Sequence, residues 1–307
     1  MDEREEAKKS IVYINWFRRL DESFFQDPGC LRLVIARSSG YDHIDVEAAE
    51  RAGVCVANQP EVIAEAVAET AVAGILAVLR RIVAGHGHVA VWAREGWPSH
   101  LRGGLVWGRS VGLLGAGRIG SRVAFILASL GAGPFYYYAR TPNRVLEQTL
   151  AARRVGLEEL FSRSMIVVNS LPLTRETRGI VTRRLLQMLP EGAIYVNVGR
   201  GATEEPGAVC SVASERPDLG FYLDVHPEEP LPEGHPRLKL ASRPNVVLTP
   251  HFAGYSEESM IGTSILAAMQ ARSFLEKGCV WNPVTGPCRR CQEGPPSLAW
   301  IIRESRK

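Results

Sequence analysis

Apolar residues in this chain fall into short unbroken runs separated by longer stretches with helical spacing. Ile11–Ile14, Leu31–Ala36 and Val54–Ala57 read as strands in the first part. Phe135–Tyr138, Met165–Val168, Ile194–Asn197, Gly220–Asp224 and Val246–Thr249 read as strands further on. Between them, Val46–Ala52 and Ile261–Leu275 carry helical spacing, and Glu65–Ile82 is apolar nearly all round, as a buried helix is. Alternating strand-like and helix-like segments argue for a mainly parallel sheet. The alternation predicts an α/β protein. Gly85–Gly108 has no clear period and reads as an excursion. The residues after Val284, rich in Pro, Arg, Cys and Gly, read as a loosely ordered tail.

The pattern is most specific at Ser110–Gly120, SVGLLGAGRIG. An apolar strand runs into G-x-G-x-x-G at Gly115, Gly117 and Gly120, and helical spacing follows through Val123, Ile126 and Leu130. The three glycines serve, in order, a tight turn, close approach of backbone to a pyrophosphate, and close packing of helix on sheet. The helix N-terminus faces the phosphate charge. A doubly wound Rossmann sheet holding a dinucleotide is therefore expected. Twenty residues beyond Gly120, at the end of an aromatic strand, stand Arg140 and Thr141, with Arg144 close by and no acid. An acid there would accept from the ribose 2′-hydroxyl of NAD, whereas arginine attracts a 2′-phosphate. NADP is favoured, and NAD stays usable if Arg140 merely stacks on adenine.

Composition narrows the classes. The 307 residues suffice for two domains, and 46% hydrophobic with 22% charged residues suits a globular protein. A net charge of +3, without a basic stripe, gives no case for nucleic acid. The apolar run Ala71–Leu79 is short for a bilayer, and the polar, acidic MDEREEAKKS is unlike a secretory signal, so no membrane association and a cytoplasmic location are expected. Cys30, Cys55, Cys210 and Cys279 read as isolated and reduced. Cys288 and Cys291 form a C-x-x-C without a second pair nearby, so no metal is expected.

Three polar residues follow strands at the end where such sheets bind ligands: Arg200, Glu229 and His251. Arginine offers a forked donor pair to a carboxylate or carbonyl oxygen. Histidine can protonate a carbonyl oxygen as hydride reaches its carbon, and an adjacent carboxylate would orient the ring. Taken singly, each has a plainer reading: a surface ion-pair partner, a loop charge, a structural histidine. Their shared position is what points to reduction of a 2-oxo acid. His226 and His235 read as solvated loop histidines.

From about Leu31 to Pro283 the chain resembles the D-isomer-specific 2-hydroxyacid dehydrogenases. The resemblance lies in RSSGYDHID (Arg37–Asp45), VANQPEVIAEAVAE (Val56–Glu69), GLLGAGRIG, SLPLTRETRGIV, MLPEGAIYVNVGRG, LDVHPEEPLP and NVVLTPHFAGYS. It implies that Arg200 binds substrate oxygens, that His251 is the acid/base and that Glu229 pairs with it. It implies that backbone amides around Ser38, Ser39 and Gly40 hold the substrate carboxylate. Arg118, Ile119, Pro172, Thr177, Val198 and Asp224 fall where the family contacts the cofactor, Asp224 near the nicotinamide carboxamide. It also implies a homodimer, with Gly85–Gly108 at the interface.

The expected architecture is a dinucleotide-binding domain over 63–255, a smaller discontinuous flavodoxin-like substrate domain over 1–62 and 256–285, and a tail over 286–307. The family pattern has two further strands and two helices ahead of Ile11–Ile14, so the substrate domain is expected to be incomplete at its N-terminus, with that strand as an exposed edge. Met165 and Glu204-Glu205-Pro206 also depart from the pattern. The expected function is hydride transfer between NAD(P)H and a small 2-oxo acid such as glyoxylate or hydroxypyruvate. The alternatives are a dinucleotide-sensing, corepressor-like binding protein and an inactive truncated homologue.

Overall fold

The computed structural model describes residues 3–306. The chain forms two compact units: one takes residues up to Ala66 together with those from Gly254 onward, the other Val67–Ala253.

The larger unit is a parallel sheet of seven strands: β4 (Val111–Leu114), β5 (Phe135–Tyr138), β6 (Arg153–Arg154), β7 (Ile166–Asn169), β8 (Ile194–Asn197), β9 (Gly220–Leu223) and β10 (Val246–Leu248). Their order is β10-β9-β8-β7-β4-β5-β6. The chain reverses direction across the sheet between β4 and β7, the switch point where such sheets bind ligands. Successive side chains on a strand point to opposite faces, and both faces are covered. Tyr195 and Phe221 pack with Phe161, Leu186 and Val209 on one side. On the other, Gly74 seats against the Tyr222 ring and Val78 against Gly220. This covering explains why the strands are apolar throughout. β6, two exposed arginines at the sheet edge, has no apolar signature and was not foreseen.

The smaller unit holds β1 (Val12–Asn15), β2 (Leu33–Ala36) and β3 (Cys55–Ala57), parallel in that order. Period-2 alternation divides β2 between two cores: Leu33 and Ile35 pack with Ala267 and Val280, whereas Val34 and Ala36 pack with Leu20, Phe25 and Ala49. Strand β1 is the edge of this sheet. The helix Glu257–Lys277 starts at a Ser256 capping box and stops at Gly278, whose φ of +64° suits glycine.

Three expectations are corrected. The long apolar helix starts earlier, at Glu61, and ends at Leu79. It is long and apolar enough to cross a membrane, yet 61% of it is buried inside the protein. The tail is ordered: helix Leu298–Ser305 buries Ile301 against Val62 and Leu266. The cysteines pair across the chain, not within the C-x-x-C. Cys55 joins Cys288 and Cys279 joins Cys291, each with Cα atoms 5.1 Å apart. The reason is local. Pro283 bridges Ala57, and Val56 exchanges hydrogen bonds with Val284 and Thr285, so the returning chain brings Cys288 opposite Cys55. Cys30 and Cys210 are free.

Candidate active site

At the switch point β4 ends in Gly115, at φ +98°, and the helix Arg118–Ser129 begins three residues later. A Cβ on Gly120 would run into the Gly115 carbonyl, so only hydrogen lets helix and loop approach this closely. Gly117 faces open space, with nothing within 4 Å of where a Cβ would stand. Arg118 and Ile119 form the first helical turn.

Beside this loop lies a cavity of about 540 Å³, whose wall includes Gly115, Gly117, Arg140, Thr141, Pro172 and Thr177. Arg140 and Thr141 are exposed at the carboxyl end of β5. The Thr177 hydroxyl donates to the Pro172 carbonyl at 2.6 Å and shapes that wall. Val198 is buried just past β8. An open glycine loop, a helix N-terminus and an adjoining cavity with arginine in its wall fit a dinucleotide.

Sequence reasoning missed Asn143 here. Its side-chain amide donates to the Ala116 carbonyl at 2.8 Å and to Ser121 Oγ at 2.9 Å, tying the β5 end to the glycine loop. Its signal was its place as the N-cap of helix Arg144–Leu150.

The second cluster follows β8, β9 and β10, three adjacent strands. His251 Nδ1 and Glu229 Oε2 are 2.5 Å apart. Glu229 Oε1 accepts from the His226 amide at 2.8 Å. Partial burial pushes the Glu229 carboxyl upward, but the bonds from His251 and from the His226 amide outweigh it, leaving the group below the ordinary glutamate value. His251 stands at φ +54°, a conformation unfavourable for a residue with a side chain. Its amide donates to the Asp224 carbonyl at 2.8 Å.

Asp224 itself is 1% exposed. Its carboxylate accepts from Thr249 Oγ1 at 2.6 Å and from the amides of Phe252 and Ala253 at 3.1 and 3.0 Å. It thus holds the turn that carries His251. Burial pushes the Tyr222 hydroxyl, on the far side of Thr249, up to about 12. Arg200 is partly buried after β8, with its carbonyl fixed by Thr203 Oγ1 at 2.6 Å and Asn197 Nδ2 at 3.2 Å.

The two loop histidines are not simply solvated. His226 is 9% exposed and its Nε2 lies 2.9 Å from the Thr249 carbonyl. Burial pushes its imidazole below the ordinary value. His235 Nδ1 accepts from the Arg237 amide at 3.1 Å and caps the turn that follows.

Ser38, Ser39 and Gly40 lie in the smaller unit, after β2. The bonds that shape this turn use carbonyls: Ser38 Oγ to Gly40 at 2.6 Å, Asn58 Nδ2 to Ser39 at 2.7 Å and the Gln59 amide to Ser38 at 3.0 Å. Among the described residues no cluster of three or more His, Cys, Asp or Glu could hold a metal.

The family model "D-isomer specific 2-hydroxyacid dehydrogenase, NAD binding domain" matches residues 72–253, more than half of the chain. The chain belongs to the D-isomer-specific 2-hydroxyacid dehydrogenase family. Among these dehydrogenases it is 38% identical over 264 residues to the glyoxylate reductase of Aeropyrum pernix, covering 84% of this chain and 77% of the relative. It is 34% identical over 261 residues to that of Pyrococcus horikoshii, covering 83% and 77%.

Solved dehydrogenases and reductases share the architecture. One is an NADPH-dependent glyoxylate/hydroxypyruvate reductase from Sinorhizobium meliloti in complex with NADP and malonate, with TM-score 0.81, 29% identity and coverage of 94% and 88% of the two chains. Another is a D-lactate dehydrogenase from Aquifex aeolicus complexed with NAD and lactic acid, with TM-score 0.83, 25% identity and coverage of 92% and 89%. This dehydrogenase is accordingly an NAD(P)H-dependent 2-oxo acid reductase, acting in reverse on CH–OH donors. A pure dinucleotide sensor or an inactive homologue is not favoured.

Proposed function

We propose that the chain reduces glyoxylate and hydroxypyruvate with a preference for NADPH, using Arg200, Glu229 and His251 as its reactive set. The pairing of His251 with Glu229 at 2.5 Å carries this reading. When bound, the reduced nicotinamide supplies hydride to the substrate's carbonyl carbon. His251 gives its proton to the carbonyl oxygen, and Glu229 holds the ring by Nδ1 so that Nε2 is the atom that delivers it. Arg200 takes the substrate's oxygens through its guanidinium fork. Amides of the Ser38–Gly40 turn receive the carboxylate. Asp224 fixes the His251 turn from behind and meets the cofactor near the nicotinamide carboxamide.

Arg140, with Thr141 and no acid immediately after β5, supports NADPH over NADH. Homodimer formation is supported by the apolar residues that the excursion exposes, Trp92, Trp97, Leu105 and Trp107 among them. A cytoplasmic home, expected from the sequence, meets two disulfides that a reducing cytosol would open. Counting free thiols in protein taken directly from cells decides between the two.

The decisive experiment follows oxidation of NADPH and NADH by the purified chain across a panel of small 2-oxo acids. Turnover of glyoxylate or hydroxypyruvate is expected, faster with NADPH, and the cofactor preference should fall about tenfold in Arg140→Ala. No turnover from a folded protein that still binds dinucleotide overturns the proposal.

A further inference from the structure

Two loops carry Arg200 and Glu229, and a buried ion pair lies beneath them. The side chains of Glu204 and Arg237 are 2% and 3% exposed and meet directly through Oε2 and Nη2. Each partner also reaches a different loop. Glu204 Oε1 accepts from Asn197 Nδ2 at 2.7 Å. The same Asn197 amide nitrogen donates to the Arg200 carbonyl at 3.2 Å, and Asn197 Oδ1 accepts from the Gly199 amide at 3.1 Å. On the other side, Arg237 Nη1 donates to the Val225 carbonyl at 3.0 Å, at the root of the turn that ends in Glu229. The loops abut: a Cβ on Gly201 would collide with the backbone of His226.

A buried ion pair is a poor way to gain stability, because apolar side chains of similar volume fill such a space as well or better. This pair is not fully satisfied either, since Arg237 Nε has no partner among the described residues. What the pair does that apolar side chains could not is join the backbone of one loop to the backbone of the other through directional bonds. We propose that Glu204–Arg237 is a positioning pair for the reduction. It sets the Arg200 loop in register with the Glu229 turn, and through Glu229 it sets the His251 ring. The proposal rests on the reading of Arg200, Glu229 and His251 as the reactive set. Neither Glu204 nor Arg237 touches substrate.

The test replaces both charges at once, Glu204→Leu with Arg237→Met, because a single replacement leaves an unpaired buried charge and risks unfolding. The double variant should fold, melt somewhat below the native temperature because Asn197 and the Val225 carbonyl lose a partner each, and bind dinucleotide within twofold. Its kcat for 2-oxo acid reduction should fall tenfold or more, as a misplacement of roughly 1 Å does, and its pH profile and the NMR titration of the His251 imidazole should move. A kcat, pH profile and His251 titration within twofold of native overturn the proposal, whatever the melting temperature does.

Arg237→Lys keeps the charge but loses the fork, and should show a smaller loss in the same direction. It decides the matter if the double variant does not fold, and native kinetics from it overturn the proposal. His251→Ala run alongside separates the two readings. Turnover unaffected by His251→Ala fells the reactive set and this proposal with it. Turnover lost in His251→Ala but native in the double variant fells this proposal alone.

Discussion

At the β4 end of the large sheet, the surface proposed to meet the cofactor is mostly backbone. Gly115, Gly117 and Gly120 leave the loop bare, and Asn143 braces it from the side. At the β8–β10 end the groups proposed to react are side chains, and they are held from beneath. Asp224 fixes the His251 turn, His226 fixes Glu229, and Asn197 fixes the Arg200 loop. The first arrangement needs space and amides, and tolerates varied neighbours so long as the glycines stay. The second needs three strands' worth of buried polar partners in register. The difference teaches that damage at the two ends should separate binding from turnover.

The strongest way to break that comparison is His251→Ala. Loss of a general acid should lower kcat roughly 10³-fold, with dinucleotide affinity, measured by fluorescence titration, unchanged. If affinity falls equally, the two ends are one cooperative site and the contrast is lost. The converse variant is Gly117→Ala. The added methyl meets no protein atom, so the melting temperature should hold. A clash of about 1–3 kcal/mol with bound pyrophosphate should weaken dinucleotide binding about 10- to 100-fold. Gly120→Ala is the control: its methyl meets the Gly115 carbonyl, and it should lower the melting temperature instead.

Glu229→Gln sharpens the picture at the reactive end. Removing the carboxylate takes away the acceptor that holds His251 Nδ1. The kcat for reduction should fall about tenfold as the ring loses its orientation, with nucleotide affinity constant. A native kcat would show that the pairing does not set the ring.

The smallest effect expected is on acid stability. Burial depresses the His226 imidazole below 6.5, so the unfolded chain binds its proton first and stability falls as pH drops below about 6.5. Glu229, depressed below 4.5, contributes stability above that value, which is lost as pH falls further through its folded value. Urea midpoints measured between pH 7.5 and pH 5 should decline, and His226→Gln should flatten that decline.

The two ends also differ in how far they could be read from the sequence. The glycine loop was legible because its physics is local: a strand, three glycines at fixed spacing and a helix dictate one backbone path. The polar residues after β8, β9 and β10 could be named, since each follows a recognisable strand. Their contact was implied by the family resemblance and not by the local pattern. Glu229 meets His251 only because β9 pairs with β10, and Asp224 could be placed near the cofactor but not seen to be engaged by Thr249, Phe252 and Ala253.

The same limit explains His226, Glu204 and Arg237, polar letters in loops whose burial depends on what packs over them. It is sharpest at the C-terminus. Pro, Arg, Cys and Gly gave no period, yet Ile301 is buried and Cys288 pairs with Cys55 across 233 residues.

The sequence by itself determined the α/β class, most of the strands, the dinucleotide loop and which residue types stand at the strand ends. These depend on hydrophobic periodicity and on backbone freedom, and both are properties of neighbouring residues. Tertiary structure alone decided which polar groups are buried, which cysteines pair and which bonds hold the His251 turn in place. Those outcomes depend on distances between residues far apart in the chain, and only strand order and packing set them.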